Sequence, residues 1–121
     1  MFANLIEDMN DGAADHDYDL REIGNQKTVR YDTSAALDQP ATLTISHTST
    51  GSGDAQFRNS LVRFDAIRER EDGVQGLESV YVVVRTPVKV SSAANINKLI
   101  LQLKDFLATA GYTDKLVAGE I

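Results

Sequence analysis

The chain has 121 residues, 42% of them apolar, with 12 Lys and Arg against 18 Asp and Glu and no cysteine. That length favours one domain, and the apolar fraction suits a globular core and excludes a disordered chain. No run approaches the roughly 18 apolar residues of a membrane span, MFANLIEDMN lacks the basic start and apolar stretch of a signal peptide, and the lack of cysteine excludes disulfide scaffolds and thiolate chemistry and fits a reducing interior.

The net charge of −6 is unevenly placed. Residues 1–20 hold six acids (Glu7, Asp8, Asp11, Asp15, Asp17, Asp19) and no Lys or Arg, so the remaining 12 acids balance the 12 basic residues. An acidic total counts against nucleic-acid binding, because phosphate neutralisation supplies much of that affinity. Acidity confined to one segment weakens the objection, since the body is free to present a neutral or basic face.

In chain order, Asn10-Asp11-Gly12 reads as a hairpin turn between short strands at Phe2–Ile6 and Tyr18–Ile23. A third strand is expected at Lys27–Asp32, then a loop to Pro40. Ala41–Thr48 alternates strictly, with Leu43 and Ile45 on one side and Thr42, Thr44, Ser46 and Thr48 on the other. The Gly/Ser stretch Ser49–Ala55 reads as a loop. Phe57–Arg68 follows as a long strand with Val62 and Phe64 on one face and Asn59, Leu61, Arg63 and Asp65 on the other. Glu69–Leu77, with Gly73 and Gly76, reads as a second and more mobile loop, and Ser79–Val90 as the strongest strand.

After Pro87 the period changes from two to 3.6. Ser91 or Ser92 is placed to cap a helix, along which Ile96, Leu99, Ile100, Leu103, Phe106, Leu107 and Ala110 form one apolar stripe. Gly111 ends it, and Thr113–Ala118 suggests a short last helix. Strands first and helices last give an α+β fold with an antiparallel sheet. One helix of about 18 residues spans some 27 Å and is a small lid for such a sheet. The chain is therefore expected to complete its core with a second copy, as an obligate dimer joined through that stripe.

Catalysis has little support. No nucleophile elbow, phosphate loop or zinc motif is present, and His47, on the Leu43 side of its strand, reads as structural. Asp15, Asp17 and Asp19 resemble the start of a calcium loop, but Leu20 and Gln26 stand where Gly and Glu are needed. An acidic, solvated surface is the preferred reading, with no metal and no cofactor. The uncharged Thr/Ser run is more informative. With Arg63, Tyr81 and Arg85 on the same side, it suits hydrogen bonding to phosphates and stacking on unpaired bases.

The order of elements resembles coat proteins of single-stranded RNA bacteriophages, the leviviruses. The resemblance runs through DLREIGNQKTVRYDTSAALDQPATLTISHT (residues 19–48), QFRNSLVRFDAIRERED (56–72) and ESVYVVVRTPVKVSSAANINKLILQLKDFLATAGYTDKLVAGE (78–120). It implies an N-terminal β-hairpin, a five-stranded antiparallel sheet and two C-terminal helices. It further implies an intertwined homodimer with a ten-stranded sheet, and an icosahedral shell with helices outward and the Arg70–Leu77 loop at symmetry axes. The inner face then binds a genomic single-stranded RNA hairpin, for packaging and translational repression, through Thr44, Ser46, Thr48, Asn59, Arg63, Tyr81 and Arg85. Ile96, Leu99, Ile100, Leu103, Phe106 and Leu107 form the dimer interface. A viral maturation protein is a further implied partner, no membrane is involved, and the implied location is the virion, assembled in the bacterial cytoplasm. Two alternatives stay open: a nonviral dimeric sheet module that binds single-stranded RNA, and an oligomeric enzyme with its site between subunits.

Overall fold

The computed structural model describes residues 1–90 and 92–121. Six strands lie side by side in chain order in one antiparallel sheet: β1 (Leu5–Asn10), β2 (Asp15–Gly24), β3 (Lys27–Asp32), β4 (Ala41–Thr50), β5 (Phe57–Glu69) and β6 (Gln75–Pro87). Two helices follow, α1 (Ala93–Ala108) and α2 (Tyr112–Val117). The α+β class is as expected, but the sheet differs in one respect. The hairpin is not set apart from a five-stranded sheet. Pairing from Tyr18↔Asp32 to Gly24↔Lys27 joins β2 to β3, so all six strands form a single ladder.

Several boundaries move for local reasons. The first turn sits where Asn10-Asp11-Gly12 places it, but it closes more tightly than expected. The Asp11 carboxylate accepts the Ala13 and Ala14 N–H groups, each at 2.8 Å, and Gly12 takes a φ of +96°. Asn10 can then pair with Asp15, and β2 starts three residues before Tyr18. β1 begins only at Leu5, because the Phe2 and Ala3 carbonyls accept hydrogen bonds from Arg30 instead of entering the ladder. The second loop is likewise shorter than Glu69–Leu77. Arg70 N–H donates to the Val74 carbonyl at 2.9 Å, Gly73 takes the left-handed position (φ +82°), and Gly76 is an ordinary residue of β6.

Ser92 occupies the N-cap position of α1 with extended backbone, but its side chain makes no capping hydrogen bond; Ser91 lies outside the described residues. Gly111, left-handed at φ +81°, lets the chain turn back so that the Phe106 and Tyr112 rings meet at 4.9 Å. No helix among the described residues is long and apolar enough to cross a membrane.

Period-two alternation gives the sheet two distinct faces. On the apolar face, Ile6 and Tyr18 join Leu43 and Ile45, the two best-buried side chains of β4, in a small core. The sheet must curl towards this face. The Tyr18 and Phe64 rings pack edge to face with centroids 5.5 Å apart, although β3 and β4 lie between their strands. In a flat sheet those strands stand about 14 Å apart. Arg30, on the same face, is fully buried. Its guanidinium donates to the Ala3 and Phe2 carbonyls and to Thr28 Oγ1, which straps the N-terminal residues over the core.

A second clamp holds the first hairpin. His16 bridges two carboxylates, Asp11 at 2.7 Å through Nε2 and Asp32 at 2.8 Å through Nδ1. The hydrogen bond to Asp11, then that to Asp32, raises the His16 pKa above its ordinary value. Burial alone would raise Asp32, but hydrogen bonds from Ser34 and His16 outweigh it and hold the carboxyl low. Backbone hydrogen bonds from Ala14 and Ala13, then His16, hold Asp11 low as well. A raised histidine stabilises fully below its unfolded pKa and loses that contribution as pH climbs through its folded value. The lowered aspartates stabilise above the ordinary carboxylate pKa and lose it as pH falls through their own values. The clamp is therefore complete between about pH 4 and 6.5. Melting temperature should fall from pH 6.5 towards pH 8 in the native chain, and His16→Gln should flatten that limb. An unchanged pH profile in His16→Gln would show that the clamp carries no stability.

Candidate nucleic-acid interface

The opposite face is built from cross-strand rows, which the register fixes. From the acidic end inwards they read Asp19–Tyr31–Thr42–Asp65–Ser79, then Glu22–Val29–Thr44–Arg63–Tyr81. Next come Lys27–Ser46–Leu61–Val83, Thr48–Asn59–Arg85 and Thr50–Phe57–Pro87. All seven residues expected to meet RNA thus share this face, in three adjacent rows. A slip of one residue in any strand would have moved that strand's members to the other side. Leu61 and Val83 occupy the middle of the patch, as the alternation indicates.

The side chains are not electrostatically equivalent. Arg63 Nε donates to Asp65 Oδ1 at 2.8 Å, Arg63 Nη2 reaches Ser79 Oγ at 3.3 Å, and the Ser79 hydroxyl also donates to Asp65. Burial acts to raise the Asp65 pKa, but the hydrogen bonds from Ser79 and Arg63 prevail and hold it low, so it stays ionised. The Arg63 charge is therefore neutralised within the face. Arg85 is different: its Cζ lies 3.9 Å from the Phe57 ring centroid. Among the described residues neither Arg85 nor Lys27 has a carboxylate within salt-bridge distance. Tyr81 is 61% exposed, which leaves its ring open for stacking. Asn59 donates its amide to Thr50 Oγ1 at 3.3 Å.

Phe57, Lys27 and Asp65 belong to this surface although none was among the expected site residues. The spacing Arg63-x-Asp65 on a strand already places the two side chains together, and that signal was available in the sequence.

Elsewhere, His47 meets Ser60 at 2.8 Å across the β4–β5 ladder. The three aspartates of DHDYD lie on β2, each with a local partner. Asp15 accepts from Asn10, Asp17 accepts the Asp8 N–H at a bulge in β1, and Asp19 lies 3.7 Å from Arg21. The described residues contain no group of three His, Asp or Glu side chains placed to share a metal ion.

The expected dimer residues lie on α1, and none is buried in the single chain. Leu99 is 62% exposed and Phe106 49%. The substantial packing of α1 is with α2, not with the sheet. The apolar sheet face is equally uncovered near β6, where Val80 is 69% exposed. Beside it an open cleft of about 660 Å³ is lined by Met9, His16, Tyr18, Ala41, Phe64 and Ala66, among others.

The sequence matches no protein-family profile and no curated protein. Solved structures do match. A virus-like particle of bacteriophage GQ-907 aligns with a TM-score of 0.73 and 15% identity, covering 91% of this chain and 86% of that one. A virus-like particle of Beihai levi-like virus 21 gives 0.71 and 11%, over 100% and 98% of the two chains. The coat protein of bacteriophage EMS014 gives 0.68 and 16%, over 92% and 79%. The fold is that of a levi-like phage coat protein. The match to the Beihai levi-like virus 21 particle covers both chains almost completely, so hairpin, sheet and helices all fall within it.

Within this coat-protein fold, the Arg63–Asp65 pair offers a test of whether the Thr-rich face meets a polyanion. Asp65→Asn removes the internal counter-charge and should strengthen binding of a labelled oligouridylate by roughly two- to fivefold at low salt, the scale of a partly exposed ion pair. Anisotropy titration reads it directly, and an affinity equal to that of the native chain would mean that Arg63 does not face the polyanion.

Proposed function

We propose that the protein is a structural capsid subunit: two copies form an intertwined dimer, and dimers assemble into an icosahedral shell around single-stranded RNA. The observation that carries this reading is the exposure of two apolar surfaces at once, the α1 stripe and the β5–β6 half of the apolar sheet face. Burying one Leu or Phe side chain is worth roughly 1.5–3 kcal/mol. Six such side chains on the helix supply on the order of 10 kcal/mol, enough to outweigh the cost of association for a well-fitted pair.

In the dimer, the helix of one copy lies over the apolar face and cleft of its partner. The free outer edge of β6 offers its unpaired backbone to the same edge of the second copy. With six strands in each chain, the joined sheet has twice that number and not ten. The Thr-rich face is then left open towards the RNA, and the virion is the natural location of the protein. Likeness of fold to coat proteins and virus-like particles supports the capsid role, and the seven polar and aromatic residues on one face support RNA as the cargo.

Negative-stain microscopy of the expressed chain tests the proposal, with closed shells as the expected result. Phe106→Asp places a charge where the partner's core should be and is expected to abolish both the soluble dimer and the particles. A monodisperse native monomer at micromolar concentration would overturn the dimer. A stable dimer that binds RNA but never forms shells would point instead to a sheet module without capsid function.

A further inference from the structure

The Thr-rich face is divided by charge along the strands. At one end stand Asp19, Glu22 and the closed Arg63–Asp65–Ser79 network. Towards the other end Arg85 stands in the Thr48–Asn59–Arg85 row, and Lys27 stands in the middle row, one row from Glu22; neither has an acidic partner within salt-bridge distance among the described residues, and the hydroxyls of Ser46 and Thr48 lie between them. We propose that RNA is anchored at the second end only, by a built site in which Phe57 holds Arg85 for a phosphodiester group. This rests on the reading of the face as RNA-binding, and it specifies which residues carry the charge.

The physical argument starts from the stack. An aromatic ring beneath a guanidinium attracts the cation and shields one of its faces, while the N–H groups at its edge stay free. Pre-positioning of this kind reduces the side-chain freedom lost when an anion is bound. Arg85 is exposed beyond the ring, and the neighbouring Thr48 hydroxyl is exposed as well. Lys27 lies three strands away, about 14 Å across the sheet. That is farther than one phosphate spans, so a chain of nucleotides, not a single anion, satisfies both cations. Arg63 offers no equivalent, because its Nε already donates to Asp65. Hydroxyls between two separated cations suit an extended, unpaired backbone.

The test uses the full chain in low-salt buffer, with a fluorescein-labelled oligouridylate as probe and a salt series for each variant. Arg85→Ala should weaken binding about tenfold, the scale of a charge-assisted hydrogen bond, and flatten the slope of log affinity against log salt by about 0.7, the value for one phosphate on a single strand. Phe57→Leu keeps apolar bulk but removes the ring face; it should weaken binding about two- to fivefold with the slope unchanged. Arg85→Lys should preserve the slope and lose affinity as Phe57→Leu does. Arg63→Ala, which leaves the Asp65 carboxylate uncompensated, should weaken binding by no more than about two- to fivefold, and the helix control Lys98→Ala with Lys104→Ala should stay within about twofold of the native chain. A drop in Arg63→Ala equal to that in Arg85→Ala overturns the proposal, as does a Phe57→Leu chain with native affinity and native melting behaviour. Undiminished binding by Arg85→Ala sinks this site alone, because the native chain still binds. A native chain with no salt-dependent affinity removes the RNA reading together with the anchor.

Discussion

The architecture depends on a shortage of cover. Six strands and one amphipathic helix are made by this chain, and the helix does not fold back over its own sheet. The helix instead leaves the sheet after Pro87 and packs against α2 through Phe106 and Tyr112. The sheet compensates for part of the deficit by curling, so that Tyr18 and Phe64 close over Leu43. That curl shelters only the β2–β4 half. Val80 on the sheet and Leu99 on the helix stay in water in the single chain, and this unmet demand for cover is the basis of the proposed dimer.

The N-terminal segment solves a different problem. Six acids and no Lys or Arg within twenty residues would repel one another if they only faced solvent. Instead, Asp11 and Asp15 organise the turn, Asp17 satisfies the N–H that the β1 bulge exposes, and His16 ties Asp11 to Asp32. Arg30 is the one buried cation among the described residues, held by carbonyl oxygens and the Thr28 hydroxyl and not by a carboxylate. The strap it forms delays the start of β1. Composition alone has no way to express this, since a buried Arg satisfied by main-chain carbonyls leaves no charge partner to find in the sequence.

Periodicity made most of the fold legible. Strict alternation in β4 assigned Leu43 and Ile45 to one face and Thr44, Ser46 and Thr48 to the other, and a 3.6 period marked the whole of α1. Long strands with clear alternation left little freedom of register, which is why the candidate residues from β4, β5 and β6 fall in adjacent rows. Boundaries were less legible, because turn closure is decided by single hydrogen bonds. The Arg70–Val74 turn took three residues of an expected loop into β6. Side-chain pairing was the least legible level. Arg63 and Asp65 were visible on one face, yet their mutual neutralisation depends on rotamers that Ser79 helps to fix, and the Phe57–Arg85 stack joins two strands and 28 positions.

The proposed binding of RNA by an acidic chain is less paradoxical once charge is located instead of summed. Of the cations on the Thr-rich face, Arg63 is cancelled locally, Lys27 stands in the middle row, and Arg85 remains towards the end farthest from Asp19 and Glu22. The acids repel a phosphate backbone from one half of the face and leave the other half as its lowest-energy path. Few free cations also means that few counterions are released per subunit, so each contact is weak and strongly salt-dependent only in aggregate. In the proposed shell many such faces would act on one polymer, and the effective concentration of the neighbouring subunits would replace individual affinity. Weak sites repeated by symmetry in the proposed shell would let an RNA of irregular shape settle against the wall without being trapped at the first contact it makes.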